Sequence, residues 1–319
     1  MKLIVHHWDV DGLCSAAIAV ATFDKSETEW ENCTPPIGRF ELDSRILELI
    51  GKADEVYFLD LNMVDAVKAV DKPAIFIDHH NQEKIDKPSV IHVNPVLDGM
   101  QVPSASWVVS DYFSLWNHLS AIGAVGDLGA KLFSTEFGSS AEKLLLRHGL
   151  TREDALKAVN LIDSSYILMD RKAVEESVEF LAFAEPAELL EREEWIKNVE
   201  KIESEIEKAF SNLASNNGIA WIEFSSQFNI ISKVARKAVW EEGFEAVIAV
   251  NRDFDGMAQV YVRLRNPSPK ILRLISELKD RGINAGGKEE VMGAICPKSK
   301  VDEVIEILEE VLEWRARFS

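Results

Sequence analysis

Cysteine is scarce in this chain: Cys14, Cys33 and Cys296 are the three present in 319 residues, and no two of them have C-x-x-C spacing. That argues against a disulfide framework and against a thiolate zinc site, and it fits a reducing, cytoplasmic setting. Long apolar stretches are missing as well. No run reaches the roughly 18 residues of a membrane span, and Met1-Lys2 leads straight into a short strand pattern rather than a signal peptide. The expected product is soluble, unexported and free of the membrane. Glutamine occurs four times in a chain rich in Glu and Lys, a composition that leans toward a heat-adapted source. Positive charge is the minority sign, 35 Lys and Arg against 54 Asp and Glu for a net charge of -19. A phosphate backbone is repelled by such a surface at long range, so nucleic-acid binding through general attraction is excluded. A local basic groove is not: between Tyr261 and Arg281, six basic residues (Arg263, Arg265, Lys270, Arg273, Lys279 and Arg281) face only Glu277 and Asp280.

Hydrophobic residues make up 47% of the chain, enough at this length for two cores. Short apolar runs that end in polar clusters recur at Leu3 to His6, Val56 to Leu59, Ala74 to Ile77 and Val90 to Val93, and each reads as a buried strand. Helical patterns at Gly12 to Phe23, Ser44 to Ile50 and Asn62 to Val70 alternate with them, which implies an α/β domain with a mainly parallel sheet. From Ser104 to about Phe183 the pattern is mostly helical, with glycine-rich interruptions at "GAVGDLG" (Gly123 to Gly129) and "FGSS" (Phe137 to Ser140). The charged, glycine-free segment from Pro186 to Leu213 repeats Leu189, Trp195, Val199, Ile202 and Ile206 at helical spacing and reads as a long connecting helix. Beyond "ASNNG" (Ala214 to Gly218), strand patterns at Ile219 to Phe224, Ala246 to Asn251 and Gln259 to Leu264 precede helices at Pro269 to Lys279 and Val301 to Phe318. The expected organisation is a first domain over 1–185, a connecting helix over 186–215 and a smaller C-terminal α/β domain over 216–319.

Chemistry concentrates where the strands of the first domain end. "VHHWDVDGLC" (Val5 to Cys14) sets His7, Asp9 and Asp11 on alternate positions, the period that points side chains to one face of an extended chain. "YFLDLN" supplies Asp60, "IFIDHHNQ" supplies Asp78, His79 and His80, and "GAVGDLG" supplies Asp127 in what reads as a glycine-rich bend. Singly, each acid has an ordinary explanation, Asp11 as a helix cap or Asp60 as a strand terminator. Together they are different, because the carboxyl ends of parallel strands open into one crevice. Imidazoles and carboxylates without thiolate suit Mn²⁺ or Mg²⁺ better than structural zinc. So many carboxylates at close range need neutralising, and two divalent cations would do it.

In order and spacing, "HWDVDG", "FLDLN", "IDHH" and "GAVGDLG" resemble the four motifs of the DHH phosphoesterase superfamily, and "VRLRN" with "NAGGKEEVMG" resembles its associated substrate domain. The resemblance implies a site for two Mn²⁺ ions, with Mg²⁺ or Co²⁺ as substitutes. His7, Asp9 and Asp60 would hold one; Asp11, Asp60, His79 and Asp127 would hold the other, with Asp60 as the bridge. It further implies that His80 contacts the scissile phosphate or protonates the leaving oxygen, and that Asp78 orients a histidine, a frequent role for a carboxylate beside a ligating imidazole. In the second domain it implies substrate contacts by Arg265, Asn284, Gly286, Gly287 and Lys288, the glycines admitting a phosphate close to bare backbone N–H groups. Lys288 stands where the superfamily usually has histidine, and it can bind phosphate only as a point charge. Trp8 and Cys14 read as packing residues.

The spacing His-x-Asp-x-Asp-Gly resembles the RecJ-like nuclease branch, and the compact length resembles the archaeal Hef-associated nuclease. That resemblance implies a Mn²⁺-dependent 3′→5′ exonuclease on single-stranded DNA or RNA in replication or repair. Its strand would thread a cleft between the two domains, guided by local basic residues. It also implies a partnership with a repair helicase/nuclease such as Hef and leaves room for a homo-oligomer. Three alternatives stand beside it: a phosphodiesterase or phosphatase of the same superfamily acting on oligoribonucleotides or small nucleotides, a manganese pyrophosphatase, and a catalytically inactive repair scaffold. Turnover of dinucleotides against longer strands separates the first, phosphate release from pyrophosphate the second, and cleavage with added Mn²⁺ the third.

Overall fold

The computed structural model describes residues 1–314 and divides into two compact units, one of residues 1–166 and 170–199, the other of 167–169 and the chain from 200 onward. In the first unit, β1 (Lys2–His6), α1 (Val10–Lys25), β2 (Trp30–Cys33), α2 (Ser44–Lys52), β3 (Glu55–Leu59), α3 (Val64–Lys68), β4 (Ala74–Ile77) and β5 (Val90–Val93) alternate. The strands form a wholly parallel sheet of order β2-β1-β3-β4-β5. Leu3, Val5, Val56, Phe58 and Phe76 face one side and pack with Ile46, Leu49 and Ile50 of α2 and Val67 of α3. Strands buried on both faces read as unbroken apolar runs, and β1, β3 and β4 were legible that way, whereas β5, expected to be buried, is an edge strand with Ile91 58% exposed. β2, with sequence "WENC", was not legible: it is an edge strand with three of its four residues only half-buried.

α1 is buried along most of its length, and its small residues Ala16, Ala17 and Ala19 let α4 (Ala105–Phe113), α5 (His118–Leu128) and the later helix of residues Arg171–Phe183 close around it. α6 (Gly138–Arg147), α7 (Arg152–Ile162), α8 (Ser164–Ile167) and α9 (Arg171–Phe183) complete the helical part of this unit. Two glycine-rich segments differ from their reading as interruptions. "GAVGDLG" is helical to Leu128, with Gly129 at φ 58° as its C-terminal cap, and in "FGSS" Gly138 opens α6. The expected helix over Asn62 to Val70 shrinks to the five residues of α3. The connecting segment is likewise not one helix: a 3-10 turn covers Pro186–Leu190, α10 covers Glu193–Phe210, and β6 (Leu213–Asn216) follows.

The second unit is a mixed six-stranded sheet of order β10-β11-β9-β8-β7-β6. β7 (Ile219–Phe224), β8 (Ala246–Phe254) and β9 (Met257–Leu264) match the apolar runs, whereas α11 (Ile231–Trp240), β10 (Asn284–Lys288) and β11 (Val291–Pro297) had not been expected. α12 (Pro269–Asp280) and α13 (Val301–Leu312) cover one face through Leu274, Leu278, Val304 and Leu308. Positions 315–318 of the expected last helix lie outside the described residues.

Candidate metal centre

The strand order of the first sheet reverses between β1 and β3, the topological position where parallel sheets take ligands at their carboxyl ends. The backbone delivers side chains there in register. One residue past each strand, the N–H of His7 donates to Leu59 O (3.2 Å), that of Asp60 to Ile77 O (3.0 Å) and that of Asp78 to Val93 O (3.0 Å). The three motifs therefore end side by side.

β1 stops at His6, so His7, Asp9 and Asp11 do not lie on one strand face as their alternation suggested. Asp9 caps α1, its Oδ1 accepting from Gly12 N at 3.2 Å while its Oδ2 lies 2.8 Å from His7 Nδ1. Asp11 belongs to the first turn of the helix rather than to its cap. The turn is possible only with glycine at position 12, where a Cβ would stand 2.4 Å from the His7 carbonyl oxygen. Asp11 is fully buried and accepts from Ala105 N (2.6 Å) and Ser106 N (3.0 Å) at the start of α4, where the helix dipole favours an anion. Asp60 is 3% exposed and sits at φ 60°, a left-handed conformation that costs a non-glycine residue about 1 kcal/mol or more. Asp127 projects from the last turn of α5, and the glycines before it serve packing rather than bending. A Cβ at Gly123 would stand 2.6 Å from Asp11 Oδ1 and 2.2 Å from Ser106 Oγ, and one at Gly126 would stand 2.1 Å from Val10 Cγ1.

The result is three overlapping groups whose ligand atoms lie within 4.8 Å of one another: His7, Asp9 and Asp60; Asp11, His79 and Asp127; and Asp60 with Asp78, His79 and His80. His7 Nδ1 is 3.6 Å from Asp60 Oδ2, and His79 Nε2 is 3.5 Å from Asp60 Oδ1 and 3.1 Å from Asp127 Oδ2. Asp78 is fully buried and differently employed. It accepts from His79 N (2.6 Å), His80 N (3.1 Å), His80 Nδ1 (2.6 Å) and Gln82 Nε2 (3.1 Å), which saturates it and turns His80 Nε2 away.

Electrostatics test whether cations fit. Burial, and next the Asp60 carboxylate, push Asp11 up to about 7. Burial, with Asp11 and Asp60, pushes Asp127 up to about 9. Burial opposes charge on the imidazoles, but Asp60, Asp11 and Asp127 outweigh it and raise His79 to about 10, while Asp9 and Asp60 raise His7 well above its ordinary value. Among the described residues no lysine or arginine pairs with Asp9, Asp11, Asp60 or Asp127. His7 Nδ1 is buried and lacks a hydrogen bond of proper geometry despite its carboxylate neighbours. A donor set that binds protons this avidly for want of other cations fits divalent metal ions.

The second unit carries the expected substrate contacts less uniformly. Asn284, Gly286 and Lys288 are exposed on β10, alternating with Ala285 and Gly287. Gly287, at φ 149°, is required by packing, since a Cβ there would stand 1.9 Å from Val291 O, whereas Gly286 faces open space. Arg265 is already engaged: its Nη2 donates to Val239 O (2.5 Å) and Phe244 O (3.3 Å), closing the end of α11, with Glu245 at 3.7 Å. Arg263, two residues earlier on the same face, has Tyr261 Oη at 3.2 Å and no carboxylate partner among the described residues. The basic stretch is also less basic than its sequence. Lys270 pairs with Glu313 and Arg281 with Glu303, acids from outside the stretch, and Arg273 pairs with Glu277.

Residues 2–128 match the family model described as the DHH family, N-terminal domain. No curated protein matches the chain. Among solved structures, RecJ in complex with Mn²⁺ from Thermus thermophilus superposes with a TM-score of 0.70 at 16% identity, covering 98% of this chain and 52% of that one. This chain therefore spans about half the length of the Thermus protein. An exonuclease RecJ bound to manganese gives 0.70 at 16% identity, with 99% and 91% coverage. A DHH domain from a member of the s1p family of ribosomal proteins gives 0.70 at 18%, with 99% and 87%. At these identities the likeness is one of fold.

Proposed function

We propose, from the match of residues 2–128 to the DHH family N-terminal domain, that the protein is a Mn²⁺-dependent phosphodiesterase of that family that shortens single-stranded nucleic acid from its 3′ end. One observation carries the reading: two ligand groups at the strand-order reversal, His7, Asp9 and Asp60 in one and Asp11, His79 and Asp127 in the other, each mix imidazole with carboxylate, and Asp60 Oδ1 lies 3.5 Å from His79 Nε2 between them. His7, Asp9 and Asp60 would hold one ion and Asp11, Asp60, His79 and Asp127 the other. When bound, paired divalent cations make a water acidic enough to attack phosphorus and neutralise charge on the phosphate oxygens.

The chain's own residues then do the positioning. The N-terminus of α4 holds Asp11, the backbone of β4 holds Asp60, and Asp9 is tied to the start of α1, so the ligands are set by rigid elements. Asp78 fixes His80 through Nδ1 and leaves Nε2 to contact a phosphate oxygen or give a proton to the leaving oxygen. In the second unit, Arg263 and Lys288 are the cations we assign to the strand's phosphates, with Gly286 leaving room beside them. The exonuclease part of the proposal draws support from the fold likeness to RecJ.

End-labelled single strands incubated with Mn²⁺, and then with EDTA added, test it. Strands labelled at the 5′ end should yield a ladder of shortening products and strands labelled at the 3′ end should release labelled mononucleotide at once. EDTA should stop both. The reverse pattern would overturn the polarity, faster turnover of dinucleotides would favour a small-substrate enzyme, and no cleavage of DNA or RNA would overturn the reading itself.

A further inference from the structure

Beside the metal centre stands a large apolar ring that the folding of the core does not account for. Phe40 is 55% exposed, yet its ring stacks on the ligand His7, with centroids 5.6 Å apart and planes at 14°, and lies 5.0 Å from the ring of Trp8. Trp8 is itself only 7% exposed and lies 4.3 Å from the His7 ring. Trp8, Phe40 and His7 thus make one aromatic wall, of which Phe40 is the exposed edge.

The loop that presents Phe40 is stiff and bolted at both ends. Pro35 and Pro36 enter a turn closed by Arg39 N on Pro36 O at 2.9 Å, with Gly38 supplying the φ of 80° that a type II turn needs at its third position. Arg171 then clamps both ends of the loop, donating from Nε to Thr34 O (2.8 Å) and from Nη1 to Asp43 Oδ2 (2.5 Å). Thr34 is further tied by its N–H to Glu175 and by its hydroxyl to His6 O. A loop this constrained keeps a phenyl ring in water at a fixed place, at the cost of leaving apolar surface uncovered.

Gly38, Arg39 and Glu41 around Phe40 are exposed and not apolar, so the ring is too isolated to seat another protein. It is the size of one nucleobase. On the reading that the substrate is a nucleic-acid strand, on which this inference rests, the phosphate at the metals carries a base one sugar away. We propose that Phe40 is the platform on which that base stacks, making it a substrate-contact residue that distinguishes a base-bearing end from a bare phosphodiester. Stacking of this kind is tolerant of base identity, because every base has a π-face.

The test compares wild type, Phe40→Ala and Phe40→Trp on a single strand with ordinary ends and on the same strand whose two last nucleotides at each end are abasic. Wild type should show a KM about tenfold lower for the base-bearing strand, the scale of one base stacked on an aromatic ring. Phe40→Ala should close most of that gap through KM rather than kcat, and Phe40→Trp should preserve it. Mn²⁺ binding, followed by electron paramagnetic resonance, should be retained in both variants. Equal effects of Phe40→Ala on both strands, or loss of Mn²⁺ together with activity, would overturn the inference in favour of a ring that merely props His7. Failure of wild type to cleave either strand would instead strike the proposed function.

Discussion

Two clusters of charge lie in the first unit, and they are built on opposite plans. Around Glu175, which is 9% exposed, Arg45 donates to both carboxylate oxygens at 2.9 and 2.7 Å, while Arg171 bridges to Asp43. Two guanidinium groups meet two carboxylates. Asp43 is accordingly held below its ordinary value, first by its hydrogen bond to Arg171. At the strand ends, Asp9, Asp11, Asp60 and Asp127 face the imidazoles of His7, His79 and His80 and no guanidinium or ammonium group among the described residues, and two of the four carboxyls are driven upward to about 7 and about 9. The first cluster is complete as it stands and serves to hold β2, α2 and α9 together. The second is incomplete without cations. Balance of charge, more than burial, separates a structural cluster from a functional one here.

Breaking the shared ligand should have the largest effect. Asp60→Ala removes the carboxylate common to both ion positions and should lower Mn²⁺-dependent turnover by about a thousandfold or more, equivalent to roughly 4 kcal/mol. Calorimetric Mn²⁺ titration should show matching loss of binding, and retained tight binding of two ions would refute the assignment. The comparison also predicts opposite responses to pH. In the chelated protein, Asp11 and Asp127 have folded values above the ordinary carboxylate range, and His79 lies above the ordinary imidazole range, at about 10. All three bind more protons folded than unfolded, so each contributes stability that fades as pH rises: Asp11 between about 4 and 7, Asp127 between about 4 and 9, His79 between about 6.5 and 10. The melting temperature with EDTA should therefore fall from pH 5 to pH 9, by an amount worth a few kcal/mol. Added Mn²⁺ should flatten that fall, and equal slopes with and without Mn²⁺ would refute the claim that cations replace those protons.

The balanced cluster should respond through stability. Glu175→Gln leaves Arg45 and Arg171 without their shared carboxylate. Breaking a buried pair costs about 3–5 kcal/mol, and because the Arg45 side chain is 49% exposed the expected loss here is nearer 2–3 kcal/mol. Urea unfolding measures it, and a loss under about 0.5 kcal/mol, the scale of ordinary surface changes, would show the clamp to be ornamental.

Why one cluster was legible in the sequence and the other was not follows from chain distance. The metal-centre residues sit directly after apolar strand runs, so short contiguous motifs announce them. Glu175 meets Arg45 across 130 positions and Thr34 across 141, and nothing local marks either contact. Local reading also misjudged glycine. Gly123 and Gly126 suggested a bend, but they lie in a helix pressed against Asp11 and Val10, and only the position of a second element reveals that need. β10, "NAGGK", was missed for a related cause, since glycine packs poorly in strands and the pairing of this one with β11 holds it. Arg263 and Arg265 differ only in what lies above them, the end of α11 over Arg265, and spacing along a strand carries no trace of that.

The smallest effect tests the junction between the two plans, where a neutral amide supports a charged pair. Gln82 donates to Asp78 Oδ2, the oxygen that does not hold His80 Nδ1. Gln82→Leu keeps the volume and the apolar stem but removes that donor, leaving a fully buried carboxylate oxygen without its partner. Asp78 is then freer to rotate, and His80 loses part of its fixed aim while the proposed ligands His7, Asp9, Asp11, Asp60, His79 and Asp127 keep theirs. Turnover should fall about tenfold, the lower end for a supporting residue around a metal site, with KM and Mn²⁺ affinity little changed and the pH profile of kcat displaced. Gln82→Glu should do worse, since a second carboxylate beside Asp78 repels it. A Gln82→Leu enzyme with wild-type kcat and an unmoved pH profile would show that Asp78 needs only its backbone donors to hold His80.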